Sequence, residues 1–116
     1  MDVQIKAKGL PAAKTLRSHA NHRIQAALGR FGHVVQSVTV RLSDINGPRG
    51  GADKLCRIVV QMKSRSFVME EIGADMRRVI DRLADRIHYR VSTQLARLVR
   101  IDRQVHTTLK PALALG

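Results

Sequence analysis

Residues 75–100 constrain this chain more than any other stretch. Met76, Ile80, Leu83, Ile87, Val91 and Leu98 recur at intervals of three, four or seven, the spacing that lines one face of a 3.6-residue helix with apolar side chains. Such a face has to lie on an apolar layer, so the rest of the chain must supply one. At about 100° per residue, Arg78, Arg82, Arg86, Arg97 and Arg100 gather on one flank of the stripe. Arg90 stands at its border, and Asp81 and Asp85 fall on the other side. With a rise of about 1.5 Å per residue the helix would be about 39 Å long, enough to run beside several phosphates of a folded nucleic acid. A solvated face trimmed with ion pairs such as Arg78 with Asp81 and Arg82 with Asp85 is the other account of the same pattern.

Whole-chain charge favours the first account. Lys and Arg number 21 against 9 acids, a net charge of +12 in 116 residues, so the protein repels copies of itself and is drawn to polyanions. That points to a monomer when free, with nucleic acid or an anionic membrane as partner. A membrane-spanning segment is not expected, because no apolar run approaches the roughly 18 residues that one requires. Val3, Ile5 and Ala7 alternate with polar residues where a signal peptide would be continuously apolar, so a cytoplasmic location is expected. The single cysteine, Cys56, cannot form an intramolecular disulfide, in keeping with a reducing compartment. A chain of this size is one domain and buries roughly two-thirds of the surface it exposes when unfolded.

The other elements follow from period and punctuation. Residues 2–8 alternate as a strand with one buried face, and Gly9, Leu10 and Pro11 stop it. From Pro11, a favourable first helical residue, Ala13, Leu16, Ala20, Ile24, Ala27 and Phe31 keep a helical period until Gly32 offers a left-handed cap. A second strand is predicted over 34–43 with Val38, Val40 and Leu42 inward, then a turn-rich loop over 44–53. A third strand follows over 55–63 with Cys56, Ile58, Val60 and Met62 inward, and a shorter fourth over 66–71 with Phe67 and Met69 inward. Asp75 stands at or near the cap of the long helix. The order is βαβββα, which predicts an α+β two-layer sandwich, a four-stranded sheet with two helices on one face and Cys56 in the core. The domain is expected over residues 1–100. Beyond Arg100 the periodicity is lost, and 101–116 reads as a frayed or flexible tail.

Chemistry-bearing constellations are scarce. His19 and His22 lie three apart on the first helix, but without a Cys or third His nearby they read as solvated histidines rather than a zinc site. Asp81 and Asp85, on a helix lined with arginines, read as ion-pair partners rather than an acid and base pair. Asn46-Gly47-Pro48-Arg49-Gly50-Gly51 could offer backbone amides to a phosphate, yet matches neither the Walker nor the dinucleotide fingerprint. Its basic ends, Arg49 and Lys54, would suit RNA in any case. No enzyme, cofactor, metal or small-molecule substrate is expected.

Single-strand readers stack bases on exposed aromatics. This chain has no Trp, one Tyr and two Phe, and Phe31 and Phe67 fall on apolar faces. What remains is recognition of backbone and shape by arginines along a helix edge, best suited to structured RNA. The order αβββα is also that of double-stranded-RNA-binding domains, with one strand added in front.

Several of these residues carry a resemblance. The βαβββα order, the helix from Leu16-Arg17 to Leu28, and Asp75-Met76 followed by Val79-Ile80-Asp81, Leu83 and Asp85-Arg86-Ile87 resemble the family of ribosome hibernation promoting factor and ribosome-associated inhibitor A, over roughly residues 2–98. Asn46-Gly47-Pro48-Arg49-Gly50-Gly51 with Asp53-Lys54 and Cys56-Arg57 is similar to a bacterial subgroup. The resemblance implies a non-enzymatic, short-type translation inhibitor. It would bind rRNA of the small ribosomal subunit in the channel of mRNA and tRNA, without the dimerisation domain of the long forms. By position it implies that Arg86 and Arg97 on the second helix, and Arg23 on the first, contact rRNA. Where the family is most densely basic, this chain has His88, Tyr89, Arg90, Val91, Ser92 and Thr93. The expected RNA-contacting set is Arg23, Arg30, Arg49, Lys54, Arg78, Arg82, Arg86, Arg90, Arg97 and Arg100. Two other readings stay open: an RNA-binding accessory factor that never enters the channel, and a protein-binding regulator using the open sheet face with Thr39, Arg41, Arg57, Val59 and Gln61.

Overall fold

The alternation in the first seven residues and the β-branched runs before and after the central loop come together as one mixed sheet. The structure, a computed structural model, describes the backbone of residues 1–7, 9–45 and 53–115, and side chains up to residue 97. Its elements are β1 (Asp2–Ala7), α1 (Ala13–Leu28), a 3-10 turn (Gly29–Phe31), β2 (Val35–Asp44), β3 (Lys54–Met62), β4 (Ser66–Gly73) and α2 (Met76–Leu115). The strands lie in sequence order. β1 runs parallel to β2, with Val3 beside Val38 and Ile5 beside Val40. The parallel pairing requires a crossover, which α1 supplies. The remaining pairs are antiparallel, Val40 facing Ile58 and Ile58 facing Met69.

Period 2 in the strands and period 3.6 in the helices deliver their apolar side chains to the same layer. Val38, Val40, Leu42, Cys56, Ile58, Val60 and Met62 from the sheet meet Ala20, Ile24 and Leu28 of α1 and Met76, Val79, Ile80, Leu83, Ile87 and Val91 of α2, all of them buried. Val3, Ile5, Phe67 and Met69 are partly buried against this core. The inward sets predicted from alternation are the ones the structure buries, and the α+β sandwich follows from them.

Two local expectations are corrected. Helix α1 begins at Ala13 rather than Pro11, because Ala12 takes the left-handed conformation with φ of 55°. Gly32 is right-handed, with φ of −58°: the chain leaves α1 through a tighter 3-10 turn that seats Phe31 in the core, so no left-handed cap is needed. Helix α2 runs from Met76 to Leu115. Asp75 caps α2 as expected, its Oδ1 accepting the Arg77 N–H at 3.0 Å, which satisfies one of the donors left open in a first helical turn. Gly73 permits the close return of α2 onto β4: a Cβ there would stand 2.5 Å from an Arg82 Nη and 2.9 Å from Val79 Cγ2.

Candidate nucleic-acid interface

The two flanks of α2 have different neighbours. On the acidic flank α1 packs alongside, and Asp81 and Asp85 bind across the seam instead of pairing within α2. His19 Nε2 lies 2.7 Å from Asp81 Oδ1. Arg23 reaches Asp85 Oδ1 at 3.0 Å and the Asp81 carbonyl at 3.3 Å, and its Nε stands 3.1 Å from Asp81 Oδ1. The expected pairs Arg78 with Asp81 and Arg82 with Asp85 are therefore replaced by contacts between helices. Arg23, predicted as an RNA contact, is a half-buried clamp, and His19 is a bonded seam residue rather than a solvated one. Nearer the far end of α1, His88 Nδ1 lies 2.8 Å from the Ala27 carbonyl and its ring stands 5.7 Å from that of Phe31. The carbonyl only accepts, so Nδ1 carries the proton.

On the arginine flank α2 runs along β4, one of the two edge strands of the sheet. Arg82 Nη2 donates to the Ile72 carbonyl at 3.4 Å, and Arg86 Nη1 donates to the Glu70 carbonyl at 2.9 Å and to Glu71 Oε2 at 2.6 Å. Arg82 Nε also lies 3.5 Å from Glu71 Oε1. One carboxylate thus orients two guanidinium groups, and both cover carbonyls of an edge strand that would otherwise offer a template for pairing. Half of each side chain, 54% for Arg82 and 49% for Arg86, stays open to solvent. Arg90 lies over the Phe67 ring at 5.2 Å, a cation–π contact. Arg78 is almost fully exposed, with only Asp75 near it at 3.9 Å, and Arg97 is exposed. The predicted flank is thus assembled from Arg78 to Arg97, with its middle held in place and its ends free.

The remaining predicted residues stand apart. Arg30 is exposed on the 3-10 turn. Lys54 bridges Asp44 Oδ2 at 2.9 Å and Asp53 Oδ1 at 3.0 Å, and those carboxylate hydrogen bonds hold its ammonium above the ordinary lysine range. It ties the end of β2 to the start of β3. Arg49 and the whole motif Asn46-Gly47-Pro48-Arg49-Gly50-Gly51 lie outside the described residues, as does the side chain of Arg100.

Two features escaped the sequence reading. Tyr89 is 72% exposed and borders an open groove of about 390 Å³ with Arg90, Thr93, Gln94 and Arg97, so the flank has an exposed aromatic after all. Its place one residue before Arg90 in the helical period was the available signal. A second groove, about 530 Å³, lies between α1 and the start of α2 and is lined by Lys14, Thr15, Ser18, His19, His22 and Arg77. Among the described residues no group of three or more His, Cys, Asp or Glu could hold a metal ion, and no helix is long and apolar enough to cross a membrane.

A search among curated proteins finds no match. Among solved structures, a ribosomal subunit interface protein from Coxiella burnetii shares the fold with a TM-score of 0.64 at 14% identity, covering 83% of this chain and 99% of that one. The N-terminal domain of Protein Y from Thermus thermophilus superposes with a TM-score of 0.62 at 24% identity, covering 78% of this chain and 96% of that domain. The family model described as "Sigma 54 modulation protein / S30EA ribosomal protein" matches residues 3–100, a span that includes all of the sheet but Asp2, together with α1 and the arginine flank of α2. The chain therefore belongs to the Sigma 54 modulation protein / S30EA ribosomal protein family, a family of non-enzymatic proteins.

Proposed function

We propose that this protein binds the small ribosomal subunit through its rRNA, lies in the channel used by mRNA and tRNA, and keeps idle ribosomes from translating under stress or in stationary phase. The observation that carries the reading is the arginine flank of α2, exposed from Arg78 to Arg97 on a chain of a ribosomal-protein family. Arg82 and Arg86 are pre-oriented by Glu71, so less side-chain freedom is lost when they meet phosphates. Arg78, Arg97 and Arg30 supply movable charge, and Arg90 adds a cation seated over the Phe67 ring. With few base-reading groups on this surface, binding rests on backbone and shape. The domain of residues 1–100 carries the activity as a monomer in the cytoplasm.

Sedimentation with purified small subunits tests this. If about five to eight phosphates are neutralised, a fourfold rise in salt should weaken binding by about three orders of magnitude. Excess tRNA with mRNA should displace the protein. Comigration that tRNA and mRNA leave untouched would put the protein elsewhere on the subunit, and a flat salt dependence would remove the arginines as the main contact.

A further inference from the structure

The sheet face turned away from the helices carries a charge pattern that the fold does not explain. Lys6 pairs with Arg41 across β1 and β2, and Arg41 pairs with Arg57 across β2 and β3. All three are exposed. Adjacent strands lie about 4.8 Å apart, so three cations share a row about 10 Å long. Like charges placed directly opposite one another on a sheet are destabilising. The row ends at Glu70, the partner of Arg57 on β4, whose Oε1 stands 3.8 Å from Arg57 Nε. One half-exposed acid faces three bases.

The rows on either side are partly apolar. Toward one end of the strands, Thr39, Val59 and Val68 are in register; toward the other, Ser43, Leu55 and Ile72. Val68 is 48% exposed and Ile72 45% exposed. Thr39, Arg41, Arg57 and Val59 line a shallow depression of about 270 Å³ at the centre. A cationic row set between two apolar ones offers an acidic partner both charge complementarity and apolar area to cover, and arginine is enriched where proteins bind one another. A phosphate backbone would neutralise the row but gain nothing from Val59, Val68, Leu55 and Ile72. A second copy of this chain, carrying +12, would bring two such rows together.

We infer that the open sheet face is a docking surface for an acidic protein segment in which carboxylates alternate with apolar side chains. Its carboxylates would sit on Lys6, Arg41 and Arg57, and its apolar residues would cover Val59, Val68 and Ile72. This face lies on the opposite side of the sheet from α2, so it can be filled while the arginine flank holds RNA. The inference stands whether or not the ribosomal reading holds.

The test uses the whole protein, fluorescence anisotropy and two labelled probes, a short peptide alternating glutamate with valine and an RNA hairpin. Arg41→Glu with Arg57→Glu should weaken the peptide by about tenfold or more and leave the hairpin within about twofold. Arg90→Glu with Arg97→Glu should do the reverse. Val68→Thr with Ile72→Thr, which leaves the charge unchanged, should also weaken the peptide. Folding is monitored in the same samples, and Arg41→Glu alone should raise the melting temperature at low salt, because it places an acid between Lys6 and Arg57. The inference is overturned if wild type does not bind the peptide, if both charge-reversal pairs weaken it equally, or if the sheet variant loses the hairpin. It is also overturned if the threonine variant binds the peptide as wild type does, or if Arg41→Glu fails to raise the melting temperature.

Discussion

Arg23 on α1 and Asp85 on α2 stand 3.0 Å apart, with Asp81 Oδ1 between His19 and the same arginine. These residues are about sixty positions apart in the chain, and together they fix how the two helices lie against each other. Asp81 is the more enclosed carboxylate, 41% exposed against 79% for Asp85, and it meets two partners. Solvent screening discounts both. Asp81→Ala should therefore cost about 1 kcal/mol and Asp85→Ala a few tenths, as read by urea denaturation. Equal losses would show that the seam does not depend on Asp81.

At Gly73 the limit is space. An added Cβ would meet the Arg82 guanidinium, which can move, and Val79 Cγ2, which is fully buried and cannot. Gly73→Ala should destabilise by about 1–3 kcal/mol through overpacking and should loosen Arg82 from β4. A melting temperature equal to that of wild type would mean that α2 can shift away from the strand at no cost.

Stability should fall at alkaline pH. Burial pushes the Cys56 thiol up from 9.0 to about 12, with Glu71 adding to the effect. Above pH 9.0 the unfolded thiol ionises while the folded one stays protonated, so the unfolded state gains and stability declines until the folded thiol itself ionises. Lys54 acts in the same direction: its raised folded pKa means a contribution present below 10.5 and lost as pH rises through the folded value. Cys56→Ala should flatten the fall in melting temperature that begins near pH 9, whatever its effect at neutral pH. Native Cys56 should also resist alkylation at about pH 8 until the chain unfolds; rapid labelling of the folded protein would contradict its burial.

Much of this fold was legible because its signals are local and periodic. The inward sets on β2 and β3, and Met76, Ile80, Leu83, Ile87 and Val91 on α2, each follow from a spacing of two or of three and four, and each is placed as read. Asp75 could be read because a cap acts within one turn. The site was less legible, because the partner of a charge is chosen by tertiary geometry. Within α2, Arg82 and Asp85 satisfy a helix spacing rule; in the fold, Arg82 turns to Glu71 on β4 and Asp85 turns to Arg23 on α1. Lys54 read as a basic loop end until Asp44 and Asp53 were brought against it. The backbone choices at Ala12 and Gly32 depend on seating Leu10 and Phe31 in the core, which a propensity cannot weigh.

Tyr89 offers a test of how the flank meets RNA. A ring that stacks on a base is worth about 1–3 kcal/mol, so Tyr89→Ala should weaken binding to small subunits by about fivefold or more, with no change in folding because the side chain is exposed. Tyr89→Phe should retain most of the affinity. If alanine binds as well as tyrosine, recognition is carried by the arginines alone.

If the arginine flank of α2 holds the protein on the small subunit in the path of mRNA and tRNA, as proposed, reversing its charge should release the protein. Arg90 and Arg97 are exposed and have no carboxylate partner among the described residues, so reversing them breaks no ion pair there and leaves the seam with α1 intact. The most direct measurement is cosedimentation of the Arg90→Glu, Arg97→Glu double variant with purified small subunits, beside wild type with and without excess tRNA and mRNA. Wild type should comigrate and be displaced by tRNA with mRNA, while the double variant, folded by circular dichroism, should stay at the top of the gradient. A double variant that comigrates as wild type does would contradict the proposal.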